Sequence, residues 1–190
     1  MKKFIISLFA VSIFMTACSQ NENSKNQINE NKMKSKTLIV YFSATGTTES
    51  VAKQLADILK ADLHKIEPLH PYTADDLDWT NRKSRTSIEM NDKQFRPTIG
   101  NKIDNIDDYD KIYVGYPIWW YTAPTIINTF LESYDFKKIK IIPFATSGSS
   151  DIEKSCKELK DRYPNINWGK GKLLNNVSKK DIEEWIFNEK

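Results

Sequence analysis

The chain has 190 residues, with 28 lysines and arginines against 25 aspartates and glutamates, for a formal net charge of +3. That length suits one folded domain, and 39% apolar with 12% aromatic residues supply enough hydrophobic side chains for a core, which excludes wholesale disorder. Two cysteines and two histidines exclude a disulfide scaffold and leave little for a zinc site, and a charge so near balance gives no reason to expect nucleic acid.

At the N-terminus, Met1, Lys2 and Lys3 precede an apolar run from Phe4 to Met15 broken only by Ser7 and Ser12. A helix of that length rises only about 18 Å, short of the roughly 30 Å hydrocarbon core, so the run reads as a signal peptide and not a membrane span. It ends in Met15-Thr16-Ala17-Cys18, which resembles the bacterial lipobox: small residues, then a cysteine that takes a lipid and becomes the new N-terminus. Residues 19–36 hold only Ile28 and Met33 as large apolar side chains, too few to fold. As a flexible coil they would reach roughly 23 Å, enough to hold a globule clear of lipid headgroups. The expected organisation is a signal at 1–17, lipidated Cys18 with a tether to 36, and a folded domain at 37–190. Lys2 and Lys3 carry +2 and residues 19–36 another +2, which leaves the domain at −1.

Within the domain, Thr37 to Phe42 is a short β-branched and aromatic run, as a strand buried on both faces requires. Val51, Leu55, Ile58 and Leu59 recur at helical spacing over 48–60. Asp62–Glu67, Lys111–Tyr116 and Ile139–Ala145 read as further strands, and Trp168–Leu174 as a fifth interrupted by Gly169 and Gly171. The helix bearing Ile127, Phe130, Leu131 and Tyr134 places Pro124 in its first turn. Ile152, Cys156, Leu159 and Tyr163 form another stripe behind a Ser150-x-x-Glu153 capping box, and Ser178-x-x-Asp181 opens a last helix carrying Ile182, Trp185 and Ile186. Across 68–108 the periodicity is poor, although Thr73-x-x-Asp76 predicts a helix running to about Met90. Alternating strands and helices imply an α/β fold, a parallel sheet with helices on both faces.

Function in such a fold belongs at the carboxyl ends of the strands, where three loops stand out. Ser43-Ala44-Thr45-Gly46-Thr47-Thr48 joins the first strand to the first helix, with small hydroxyl residues around a glycine and a helix N-terminus behind them. That composition suits one phosphate monoester. No G-x-x-x-x-G-K-[ST] and no G-x-G-x-x-G occurs anywhere in the chain. Gly115-Tyr116-Pro117-Ile118-Trp119-Trp120-Tyr121 follows the third strand; three consecutive aromatics cannot all face a core, so at least one is presented to something planar. Thr146-Ser147-Gly148-Ser149-Ser150, after the fourth strand, supplies small polar groups for the edge of a heterocycle.

On these three loops the chain resembles the flavodoxin family over roughly 37–190. The resemblance implies a flavodoxin-like three-layer sandwich with a five-stranded parallel sheet in the order 2-1-3-4-5. It implies FMN as cofactor, with Ser43, Thr45, Gly46, Thr47 and Thr48 on the phosphate. Pro117, Ile118, Trp119 and Trp120 would flank the ring, and Ser147 and Gly148 its pyrimidine side. Thr47 stands where the family often has Asn, and Ser149 where a second glycine is common; neither change removes a backbone donor.

Elsewhere, Cys156 falls on an apolar helix stripe and reads as a buried thiol. His64 and His70 have no visible acid or nucleophile beside them, Lys137, Lys138 and Lys140 form a solvated edge, and Asp104, Asp107, Asp108 and Asp110 lack EF-hand spacing. The expected function is a lipid-anchored FMN protein, exported to the cell membrane, that exchanges electrons with a redox partner protein or a small-molecule acceptor. The alternatives are an FMN-dependent NAD(P)H oxidoreductase acting on a quinone-type acceptor, with 68–108 in its substrate pocket, and a flavin-free binding module.

Overall fold

The computed structural model of the protein describes residues 36–175 and 177–189. The expected signal peptide, the lipidated Cys18 and the tether up to residue 35 lie outside the described residues.

Strand β1 (Thr37–Tyr41) is an inner strand of the sheet, with Leu38, Ile39, Val40 and Tyr41 all buried. It pairs in parallel with β2 (Asp62–Lys65) on one side and β3 (Lys111–Pro117) on the other. β4 (Lys140–Thr146) follows in parallel, with Ile112 opposite Ile141 and Pro117 opposite Thr146. With β5 at Asn167–Trp168, the order is β2-β1-β3-β4-β5, as the resemblance implies. Because side chains alternate across a strand, the two faces of the sheet build two cores. Leu38, Val40, Ile112, Val114 and Ile141 face helices α3 (Thr125–Glu132) and α4 (Glu153–Arg162). Ile39, Tyr41, Tyr113, Ile142 and Phe144 face α1 (Thr47–Leu59) and α5 (Lys179–Asn188). Helices on both faces make the three-layer sandwich.

The fifth strand is two short pieces, β5 (Asn167–Trp168) and β6 (Lys172–Leu173), both parallel to β4. The expected glycines explain the break. A Cβ on Gly169 would stand 2.6 Å from Glu189 Oε2, and one on Gly171 2.5 Å from Cys156 Sγ, so the intervening chain runs too close to α4 and the C-terminus for side chains.

Three expectations about helix starts are corrected or confirmed by local hydrogen bonds. Ser178 and Asp181 form the capping box of α5 as read. The Ser150–Glu153 box does not form: α4 starts at Glu153 with Ile152 at its N-cap, and the Ser150 amide donates to Ser147 Oγ instead. Thr73 and Asp76 do make reciprocal capping bonds, yet they close a single turn ending at Leu77. The helix of this segment, α2 (Arg85–Asn91), begins later, where Ser84 Oγ accepts the Ser87 amide. The buried positions of α2 are Thr86, Ser87 and Glu89, so polar bonds hold it in place of the apolar stripe that periodicity looks for. The whole excursion is fastened to α3 by Arg96, whose Nε and Nη2 donate to Glu132 at 2.7 and 2.8 Å, and by Thr129 Oγ1 donating to the Pro97 carbonyl.

Candidate functional site

The three loops meet at the carboxyl edge of β1, β3 and β4. In the first, Ser43 is buried and its Oγ accepts the Gly46 amide at 3.1 Å, while Thr45, Gly46 and Thr47 are exposed. Gly46 has φ +90°, a left-handed conformation that favours glycine, and a Cβ there would meet no protein atom. No side chain caps α1, so the amides of its first turn face outward with the positive end of the helix behind them. The acid in that turn, Glu49, does not spoil the potential. Lys53 and Lys65 donate to its carboxylate at 2.6 and 3.0 Å and hold its pKa below the usual carboxylate range. Thr48 is buried, and its hydroxyl pairs with that of Thr146 at 2.8 Å.

The second loop is a two-residue hairpin. Ile118, half-buried like Pro117 before it, donates its amide to the Thr146 carbonyl, and Trp119 and Thr122 then exchange both backbone hydrogen bonds at 3.0 and 2.9 Å. The residues between them, Trp120 and Tyr121, have φ of 46° and 67°. Two left-handed residues in succession are the pattern that Asn-Gly normally supplies, and aromatic side chains there carry backbone strain. The aromatic run divides. Trp119 turns inward and meets Phe42 and Tyr72 edge-on, with ring centroids 5.5 and 5.6 Å away. Trp120 and Tyr121 stay outside, 40% and 64% exposed. Two aromatics are thus presented, and Trp119 belongs to the packed cluster beneath them.

In the third loop, Ser147 Oγ accepts the amides of Ser149 and Ser150, which shapes the turn. The Ser147 amide donates to Asn175 Oδ1 at 2.8 Å, and Asn175 Nδ2 donates back to the Ser147 carbonyl. Gly148 is exposed, with open space where a Cβ would stand.

The 68–108 excursion supplies a wall that motif reading did not find. Tyr72 donates its hydroxyl to Glu89 at 2.6 Å, and Arg85 Nε donates to the other oxygen of the same carboxylate at 2.7 Å. The Arg85 guanidinium lies 4.0 Å from the centre of the Tyr72 ring, which closes the set. Glu89 is only 2% exposed, and its burial is answered by these two donors. Burial, together with the bond to Glu89, pushes the Tyr72 phenol far above its ordinary range, so the ring is held neutral and in one orientation. Beside it a cavity of about 490 Å³ opens between Ser43, Lys65, Glu67 and Tyr72. Tyr72, Phe42 and Asn175 are the contributors that sequence reasoning missed.

The arrangement offers backbone donors, hydroxyls and aromatic surfaces. Among the described residues no group of three His, Cys, Asp or Glu side chains could hold a metal ion. Cys156 is buried as expected, and burial pushes its thiol upward, away from nucleophilic use.

Comparison with known proteins follows the same lines. Two crystal structures of candidate flavoproteins are similar over nearly the whole domain. One, from Bacteroides eggerthii DSM 20697, is 50% identical, with 82% of this chain and 98% of that chain covered and a TM-score of 0.80. The other, from Bacteroides uniformis ATCC 8492, is 52% identical over 80% of this chain and 98% of that chain, at a TM-score of 0.78. A flavoprotein of Lactobacillus acidophilus NCFM, solved in complex with FMN, shares the fold at 21% identity, with 80% and 99% covered and a TM-score of 0.64. No curated protein matches the chain. The family model described as flavodoxin matches residues 36–189, the full span of the described residues. The chain therefore belongs to the flavodoxin family.

Proposed function

We propose that this protein is an FMN-dependent electron carrier. The observation that carries the reading is the uncapped α1 N-terminus behind Thr45, Gly46 and Thr47, an anion cradle at the same sheet edge as the aromatic hairpin. The residues fit the cofactor. A phosphate monoester would take the first-turn amides and the hydroxyls of Ser43, Thr45 and Thr47, with the Thr48 amide. Pro117, Ile118 and Trp120 would border the ring, Trp119 would support it from within its cluster, and Ser147 and Gly148 would face its polar edge. Bound flavin supplies the redox chemistry, and the protein supplies position and electrostatics. The structure of a related flavoprotein with FMN supports this cofactor.

The lipid anchor belongs to the same reading. A lipobox cysteine followed by a polar tether would hold the domain at the exported face of the cell membrane, where its exchange partner is a protein or a small electron acceptor. Carrier and oxidoreductase are separated by rate. The full-length protein, purified in detergent, should be yellow with bound FMN. In stopped-flow mixing it should bleach slowly with NADH or NADPH and fast with a strong one-electron donor. Complete reduction within seconds, at nucleotide levels near a typical KM of roughly 1 μM to 1 mM, would establish the NAD(P)H oxidoreductase instead. Colourless protein that takes up no added FMN would remove the cofactor and favour the binding module.

A further inference from the structure

The anion cradle of the first loop lacks positive charge of its own. A phosphate monoester carries about −1.5 to −2 at neutral pH, whereas a helix N-terminus supplies only about +0.5. Residues 43–48 contain no lysine or arginine. The first turn of α1 instead adds Glu49, and Glu67 stands exposed just past the end of β2. Burial, and then the charges of Glu49 and Glu67, push the Tyr41 phenol above its ordinary value, so both carboxylates act on the end of β1 from which the loop departs.

Lys65 is placed to answer them. It closes β2 and pairs with Tyr41, two positions before Ser43. Adjacent strands lie about 4.8 Å apart, so the topology holds Lys65 one strand spacing from the root of the loop. Its Nζ reaches across to α1 and donates to Glu49 Oε2 at 3.0 Å. It also borders the cavity of about 490 Å³ beside Tyr72, together with Ser43, Ala44 and Glu67, and is the only cation among the residues around it. Lys53, the other donor to Glu49, lies one turn further along α1 and is 60% exposed against 40% for Lys65, so solvent screens it more. With Lys65 present, two lysines balance two carboxylates. Without it, the cradle faces a net negative charge.

We infer that Lys65 is a specificity residue of the first loop: its charge offsets Glu49 and Glu67, lets the cradle accept a phosphate dianion, and so selects a phosphorylated flavin over riboflavin. The inference rests on the FMN reading and assigns a residue outside the three loops to it.

The test is titration of flavin-freed, full-length protein in detergent with FMN and, separately, riboflavin, followed by quenching of flavin fluorescence. Lys65→Gln should weaken FMN about threefold to tenfold at low salt and leave riboflavin unchanged. Lys65→Arg, which keeps the charge, should retain most of the parent affinity. Glu49→Gln should act in the opposite direction and tighten FMN, an outcome that a merely structural role for the ion pair would not produce. At about 1 M salt, where the screening length is about 3 Å, the differences should close. Where riboflavin binds too weakly to measure, the opposite signs of the two variants and their loss at high salt decide. Unchanged FMN affinity in Lys65→Gln, equal loss of both flavins, weaker FMN binding in Glu49→Gln, or a loss indifferent to salt would each overturn the assignment while the FMN reading stands. Parent protein that binds neither flavin would overturn both.

Discussion

The hydroxyls of Thr48 and Thr146 lie 2.8 Å apart, buried, and join the first turn of α1 to the end of β4 across 98 positions of sequence. This bond ties the phosphate-type loop to the strand end from which the third loop departs. Thr48→Val leaves the Thr146 hydroxyl buried and unpaired, which should destabilise the domain by about 1–3 kcal/mol. Adding Thr146→Val should recover part of that loss, because the orphan is then removed. Urea unfolding of the two single variants and the double variant measures the coupling; strictly additive losses would show that the bond has no energetic role.

Gly115 is set by contact and not by turn geometry. A Cβ at this position of β3 would stand 2.1 Å from the ring of Phe144 on the neighbouring strand. Gly115→Ala should therefore lose about 1–3 kcal/mol or more, as overpacked cores do. Phe144→Leu in the same chain makes room, so the double variant should be more stable than Gly115→Ala alone. A Gly115→Ala protein with the thermal midpoint of the parent would refute the packing argument.

Tyr113 predicts an alkaline weakness. Its hydroxyl is buried without a partner, and burial, with the charge of Glu189 behind it, pushes the phenol from 10 up to about 12. A folded value raised above the unfolded one means that the stability is whole below pH 10 and falls as pH rises through about 12, since the unfolded chain releases the proton first. Tyr109, raised to about 12 by burial and its bond to Asp62, acts in the same window. Tyr113→Phe should add about 1 kcal/mol at neutral pH by removing the orphan hydroxyl, and should shrink the fall in urea midpoint between about pH 9 and about pH 11. An unchanged alkaline slope would assign the weakness to other groups.

Cys18→Ser addresses the anchor. It should free the protein from the membrane fraction or leave it with an uncleaved signal, while FMN uptake stays as in the parent. Cys18→Ser protein that still fractionated with membranes after losing its signal would contradict the lipid attachment.

Local chemistry was legible in the sequence where its partners are close in the chain. Ser178 and Asp181 are three apart, and their box forms. Strand runs such as Leu38–Tyr41 announced themselves because both faces are buried. Reading failed where a distant group competes. Ser147 Oγ captures the Ser150 amide, which undoes the box expected at α4. The helix at 85–91 is held through Thr86 donating to the Asp76 carbonyl and through Glu89, so it has no apolar stripe to detect. Which of Trp119 and Trp120 turns inward depends on Phe42 and Tyr72, and Asn175 reaches the third loop only once β6 lies beside β4. Such placements come from the fold as a whole.

The left-handed pair at the hairpin tip bears on which substitutions the chain tolerates. Asn-Gly at positions 120 and 121 would close the same turn with less conformational penalty. Trp120 is 40% exposed and Tyr121 64%, so their rings return less to the folded state than core aromatics do for the strain they impose. A chain drifting under pressure for stability alone would exchange them. At the tip, a substitution that relieves the strain should add stability and remove the aromatic surface offered to a ligand, so stabilisation and activity should pull in opposite directions there.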